Sequence, residues 1–156
     1  MSAEKNRELL QRRLELWNSG ELALIEHLFS VDYVMHGPQG DLLGVEPFKQ
    51  IVEGFHRDIA KLAMRYEDVV IGDDKAAYIW RITGTRKEPG RQAKTGGHKV
   101  VLTGAILVRI EDEQFVEEWR NADAMGLLVQ LGVVEARERI ERMSPTGELP
   151  QSMAMH

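Results

Sequence analysis

Apolar residues in the first sixty positions recur at a helical period. Leu10, Leu14 and Trp17 stand at i, i+4 and i+7, one face of a helix. Ser2 is placed to cap it, so the spacing predicts a helix from Ala3 that Asn18-Ser19-Gly20 ends. A second short helix, Glu21 to Phe29, sets Leu22, Ile25, Leu28 and Phe29 against a core. Val31 to His36 reads as a strand, and Gly37-Pro38-Gln39-Gly40 breaks it. Pro47 suits a first helical turn, where its missing N–H costs nothing, and Phe48, Val52, Phe55, Ile59 and Leu62 or Ala63 carry the helical period to about residue 63.

The pattern then changes to strands. Arg65 to Ile71 is one, and Gly72-Asp73-Asp74-Lys75 turns the chain. Ala76 to Thr85 follows with Tyr78, Trp80 and Ile82 on one face. Arg86 to Gly97 is polar and rich in Gly and Pro, a loop. Lys99 to Ile110 is a long strand, and Phe115 to Asn121 the last. From Asp123 the period is helical again to Leu131. A charged helix is predicted from about Val134 to Met143, with Glu135–Arg139 and Glu138–Arg142 at i, i+4. The remainder, 144–156, has two prolines and no apolar period, which predicts a disordered tail beyond a single domain over 1–143.

Helices first and strands after is the order of an α+β fold with helices on one face of an antiparallel sheet. The strand near residue 100 adds a constraint. Val100, Val101 and Leu102, then Ala105 to Val108, do not alternate, and a continuous apolar run implies burial on both faces. The helices can cover only one. A second copy of the chain is the simplest cover for the other, giving a homodimer or higher homo-oligomer through the outer sheet face; a sheet curled over itself is the alternative.

Composition removes whole classes of function. The 156 residues carry a net charge of −5 and show no basic patch, which argues against nucleic acid. Cysteine is absent, so thiolate nucleophiles, zinc–thiolate sites and iron–sulfur clusters are out. No apolar run approaches a membrane span. The start, Met1 to Lys5, is polar, so the expectation is a cytoplasmic chain without a signal peptide. The five histidines show no metal-ligand spacing, and no metal or cofactor is expected.

His36 ends an apolar strand beside a Gly-Pro turn, where a structural hydrogen bond and a proton-transfer role are both open. In a regular strand Phe115, Glu117, Trp119, Asn121 and Asp123 share one face, two carboxylates and an amide among aromatics, which is the composition of a small-molecule pocket. A carboxyl group there would have its pKa raised by desolvation, towards acid–base work near neutral pH. Asp123 also precedes a helical segment, where Asp is a favoured N-cap. Both roles stay open.

The stretch FVEEWRNADAMGLLVQLG, Phe115 to Gly132, resembles the C-terminal signature of SnoaL-like polyketide cyclases. VDYVMHGP followed by Gly44, WRITGTRKE, and KVVLTGAILVRIEDEQFVEEW are similar to further family segments in the same order, over roughly residues 6–133. The resemblance implies the cone-shaped α+β fold of the nuclear transport factor 2-like type, a curved antiparallel sheet with N-terminal helices on its concave face. It implies a homo-oligomer, a small apolar or polyketide-like ligand, and cofactor-free ring closure by intramolecular aldol condensation. The family's acid/base Asp matches Asp123, and His36 matches a pocket-lining position. The expected pocket set is then Trp17, Tyr33, His36, Trp80, Glu117, Trp119 and Asn121 around Asp123.

Two segments at the pocket mouth depart from the family: LAMRYED where members carry Phe-Pro-Asp, and AKTGG where they carry Pro-Pro-Thr-Gly. These leave the substrate open. Two other readings of the same fold remain, a non-catalytic binder of apolar ligands and a ketosteroid-isomerase-like proton shuttle. An epoxide hydrolase of the limonene type needs an inward Asp-Arg-Asp set that the residue-100 strand does not offer.

Overall fold

The computed structural model describes residues 2–38, 40–87 and 98–130. The predicted loop beyond Lys87, the predicted helix 134–143 and the tail 144–156 lie outside the described residues. The chain divides into two compact units, Met1–Ala122 and Asp123–His156. The first holds the helices α1 (Ala3–Ser19), α2 (Ile25–Leu28, entered through a 3-10 turn) and α3 (Glu46–Asp58), and all six strands. The strands are β1 (Phe29–Gly37), β2 (Gly40–Leu43), β3 (Ile59–Ile71), β4 (Lys75–Arg86), β5 (His98–Glu111) and β6 (Gln114–Ala122). In the second, the described residues form α4, Ala124–Gln130, preceded by Asp123.

α1 begins as its sequence predicts. Ser2 Oγ accepts from the Lys5 N–H at 3.2 Å, and the Gly20 N–H closes the far end on Leu16 O at 2.8 Å. The buried stripe is Asn6, Leu9, Leu10, Arg13, Leu16 and Trp17, so two polar residues lie on the inward face and Leu14 is only half-buried. Asn6 Nδ2 donates to Gly72 O and Asp73 O, both at 2.9 Å, tying the start of α1 to the β3–β4 turn. Asn18 imitates a strand residue: its amide donates to Met64 O at 3.0 Å and accepts from the Met64 N–H at 2.7 Å. Through these bonds α1 lies along β3, the edge of the sheet.

The sheet is curved and unclosed, in the order β2-β1-β6-β5-β4-β3. It is not wholly antiparallel as expected: β1 runs parallel to β6. About half of the chain separates those two strands, so no hairpin dictates their direction. Two local expectations also change. The helical period extending to residue 63 is overridden at Ile59, where the backbone becomes extended and pairs with Arg86. Lys61, at φ 55°, sits in a bulge before pairing resumes at Ala63. And β2, too short and too exposed to leave an apolar pattern, adds a hairpin to β1.

The inward face alternates along β4 as Ala76, Tyr78, Trp80 and Ile82, and along β5 as Val100, Leu102, Ile106, Val108 and Ile110, all buried. Phe29, Phe48 and Phe115 close the other end of the core, with Phe29–Phe48 centroids 4.6 Å apart and Phe29–Phe115 5.3 Å. Gly104 stands opposite Trp80, and a Cβ there would come within 2.3 Å of the indole. The missing side chain is what lets the ring lie across β5.

Candidate functional site

Between the helices and the inward face of the sheet lies a cavity of about 50 Å³. Trp17 from α1, Phe55 from α3, Met64 from β3, Trp80 and Ile82 from β4, and Leu102 and Ile106 from β5 give it an apolar wall. Tyr78 and Ala122 complete it, and Arg13 and Arg120 are its charged members. Apolar walls with few polar groups are the usual form of a small-molecule site.

Behind the cavity lies a buried ionic network. Arg13 and Glu118 are 1% and 0% exposed. Arg13 Nη2 donates to Glu118 Oε1 at 3.0 Å and Nη1 to Tyr33 Oη at 3.1 Å. The Tyr33 hydroxyl donates to the same Glu118 oxygen at 2.6 Å, and Arg120 Nε donates to Glu118 Oε2 at 2.9 Å. The guanidinium carbon of Arg13 lies 5.0–5.2 Å from the ring centroids of Phe29, Phe48 and Phe115. Burial works against the charge on Glu118. The fields of Arg13 and Arg120 and the bonds from Tyr33 and Arg120 outweigh it, and the carboxyl is held below its ordinary range. Burial pushes the Tyr33 hydroxyl well above its ordinary value, so it stays a neutral donor.

The residues expected to line one pocket fall into separate places. Trp17 and Trp80 face the cavity, and Tyr33 is in the network. Glu117, Trp119 and Asn121 do not share a face with Phe115. Arg109 pairs with Glu117 while Ile110 pairs with Phe115, so Val116 is an extra residue and the alternation inverts there. Phe115, Glu118 and Arg120 point inward; Glu117, Trp119 and Asn121 point to the outer face.

His36 joins that outer group. Its Nε2 lies 2.6 Å from Glu117 Oε2 and its Nδ1 2.7 Å from Asp41 Oδ1. Two carboxylates on two ring nitrogens require both nitrogens to donate, the imidazolium form. The bond to Glu117 first, then that to Asp41, raises the His36 pKa above its ordinary value. The ring stacks on Trp119 at 5.0 Å, and Arg109 Nε donates to Glu117 Oε1 at 3.0 Å.

Asp123, in the second unit, caps α4. Its Oδ1 accepts from the Gly126 N–H at 2.9 Å, and its carbonyl from the Leu127 N–H at 3.2 Å. A Cβ at Gly126 would lie 2.1 Å from Asp123 Oδ2, so the absence of a side chain there leaves the carboxylate room to fold back over the start of α4.

The sequence reading missed Arg13, Glu118 and Arg120. A signal existed for two of them. Arg13 stands three residues after Leu10 and three before Leu16, inside the apolar stripe, and in Glu117-Glu118 one carboxylate of the pair must face inward. Among the described residues no group of three or more His, Asp or Glu is placed to hold a metal ion, and no helix is long and apolar enough to cross a membrane.

The family model of SnoaL-like polyketide cyclases matches residues 7–131. Among solved structures, TsrD from Streptomyces laurentii is similar at 22% identity and TM-score 0.73, over 86% of this chain and 99% of that one. IdmH from Streptomyces antibioticus is similar at 23% identity and TM-score 0.69, over 81% and 97%. A protein of ketosteroid isomerase-like fold from Catenulispora acidiphila is 15% identical at TM-score 0.65, over 80% and 92%. At these identities the likeness is one of fold. No curated protein matches the chain.

Proposed function

Because the chain belongs to the SnoaL-like polyketide cyclase family, we propose that it closes a ring in a polyketide-like ligand by intramolecular aldol condensation, without a cofactor. The observation that carries this reading is the family match over residues 7–131, which takes in the cavity-lining residues of α1 and the strands together with the WRNAD segment. In the reading, the Asp123 carboxylate removes a proton from a carbon flanked by carbonyl groups. The enolate so formed attacks a second carbonyl carbon of the same molecule. The new C–C bond closes the ring, and the alkoxide takes back the proton held by Asp123 to become the hydroxyl group. Nothing is oxidised or reduced, and Asp123 ends as it began.

The apolar wall with two arginines supports a ligand that is mostly hydrocarbon with oxygen functions. The present volume suits a small group, so a multi-ring ligand needs side chains to move. Phe55 is half-buried and Met64 is flexible, which makes them the movable part of the wall. A second copy of the chain is the proposed cover for the outer face, where Ile79, Val70, Leu107 and Trp119 stand exposed.

One observation favours a second reading, a ligand-binding protein without turnover: the side chain of Asp123 is engaged in capping α4. Incubation with linear poly-β-keto esters, followed by mass-neutral ring closure on chromatography, separates the two. Capture of such esters with no closure above the buffer rate leaves the binding protein.

A further inference from the structure

We infer that the cavity carries a cationic subsite, built from Arg13 and Arg120, for an anionic oxygen of the ligand: a carboxylate that it bears, or the enolate oxygen formed during ring closure. The inference rests on reading the cavity as the ligand site, and it names what that site selects.

Three observations carry it. Both arginines belong to the cavity wall, which is otherwise apolar or aromatic. Their charges are not balanced: two guanidinium groups share one carboxylate, Glu118, and Tyr33 is a neutral donor. And donors remain over. Arg13 Nε is buried with no hydrogen-bond partner, and Arg120, which gives Nε and Nη2 to Glu118, has none for Nη1 among the described residues. A buried polar group without a partner is costly, and Arg13 Nε is such a group; Arg120 is one-fifth exposed. An arrangement that served stability alone would match its charges. This one has a surplus positive charge and unpaired N–H groups beside a cavity, the complement of an anionic oxygen.

The three tryptophans make the test local, since Trp17 and Trp80 line the cavity while Trp119 is on the outer face. Titrate the full chain with 3-methylbutanoate and with 3-methylbutanamide, equal in shape and different in charge, and follow the indole N–H signals by NMR. The carboxylate is expected to move Trp17 and Trp80 and to bind roughly tenfold tighter than the amide or better. Arg120→Met should erase that preference and Arg120→Lys retain part of it, each with an unchanged circular dichroism spectrum.

Pentane-2,4-dione separates the two sources of the oxygen. If the enolate is the ligand, its ultraviolet band appears at lower pH with the protein than without. If only a borne carboxylate is, 3-methylbutanoate binds and the diketone is unaffected. Equal binding of carboxylate and amide with no effect on the diketone overturns the subsite but leaves the cavity reading standing. Signals that move at Trp119 alone, or binding of none of the three, overturn both.

Discussion

Arg13 and Glu118, 105 residues apart in sequence, meet at 3.0 Å with both side chains withdrawn from solvent. The pair joins the first helix to the last strand of the sheet. Removing one member of a buried ion pair leaves the other charged and uncompensated, at a cost of roughly 3–5 kcal/mol. Glu118→Ala is therefore expected to lower the melting temperature more than any single truncation on the outer face.

The same pair sets an acid limit on stability. Glu118 is held below its ordinary value in the folded chain, so its contribution is complete above the unfolded carboxylate pKa and is lost as pH falls through the lower folded value. Urea unfolding at a series of pH values below about 5 checks this. The wild-type chain should lose stability steeply there, and Glu118→Gln should show a flatter profile from a lower starting point. Parallel profiles would remove Glu118 from the account.

His36 works in the opposite direction. Its pKa is raised by Glu117 first and Asp41 second, so its contribution is complete below the unfolded value near 6.5 and fades as pH rises through the folded one. An NMR titration of the His36 ring should give a midpoint above that of a free histidine. Glu117→Gln should bring it down, because the largest cause is gone.

Gly104 can be tested by adding one methyl group. A Cβ there meets Trp80 at 2.3 Å and Asn121 O at 2.5 Å, one of them backbone. Gly104→Ala must displace the indole or push β5 from β6, and overpacking of this kind costs typically about 1–3 kcal/mol. The expected signs are a lower melting temperature and changed Trp80 fluorescence. An unchanged emission spectrum would mean that the ring does not depend on the gap.

How much of this was legible in the sequence follows from period. α1 and its caps and the inward face of β4 could be read because a regular period reports which side of an element is covered, and the long β5 because its apolar run is continuous. Where the backbone breaks its period, the reading broke too. The bulge at Val116 inverts β6, so Glu117, Trp119 and Asn121 were expected inside and lie outside, while Glu118 and Arg120 are inside. Arg13 was passed over for a different reason. A charge is ordinarily read as solvent-facing, and its partners, Tyr33 and Glu118, are 20 and 105 residues away, beyond any local pattern.

The outer face tests the expectation of a second copy. Ile79 and Leu107 are 45% and 37% exposed, beside Val70 and Trp119. A homodimer mass is expected by light scattering at micromolar concentration. Leu107→Glu should shift it to the monomer, because a charge buried unpaired in an apolar contact costs several kcal/mol. A monomer mass for the wild-type chain would leave the exposed apolar strip without a second copy.

Asp123 carries the proposed chemistry and an observed structural duty, and three substitutions separate them. Asp123→Asn keeps an oxygen to accept from the Gly126 N–H, and Asn caps about as well as Asp, so the fold should survive. It cannot serve as a base. Ring closure should fall by about 10²–10⁴-fold, the usual worth of a positioned acid or base. Asp123→Ala removes both functions and should cost about 1 kcal/mol of stability besides. Gly126→Ala leaves the carboxyl group in the chain but drives it from its place, since the new Cβ would lie 2.1 Å from Oδ2. The carboxylate is the end of a side chain that can rotate, so the stability loss should be small while the activity loss approaches that of Asp123→Asn. Parent-rate ring closure by the Asn variant would leave Asp123 with the cap alone.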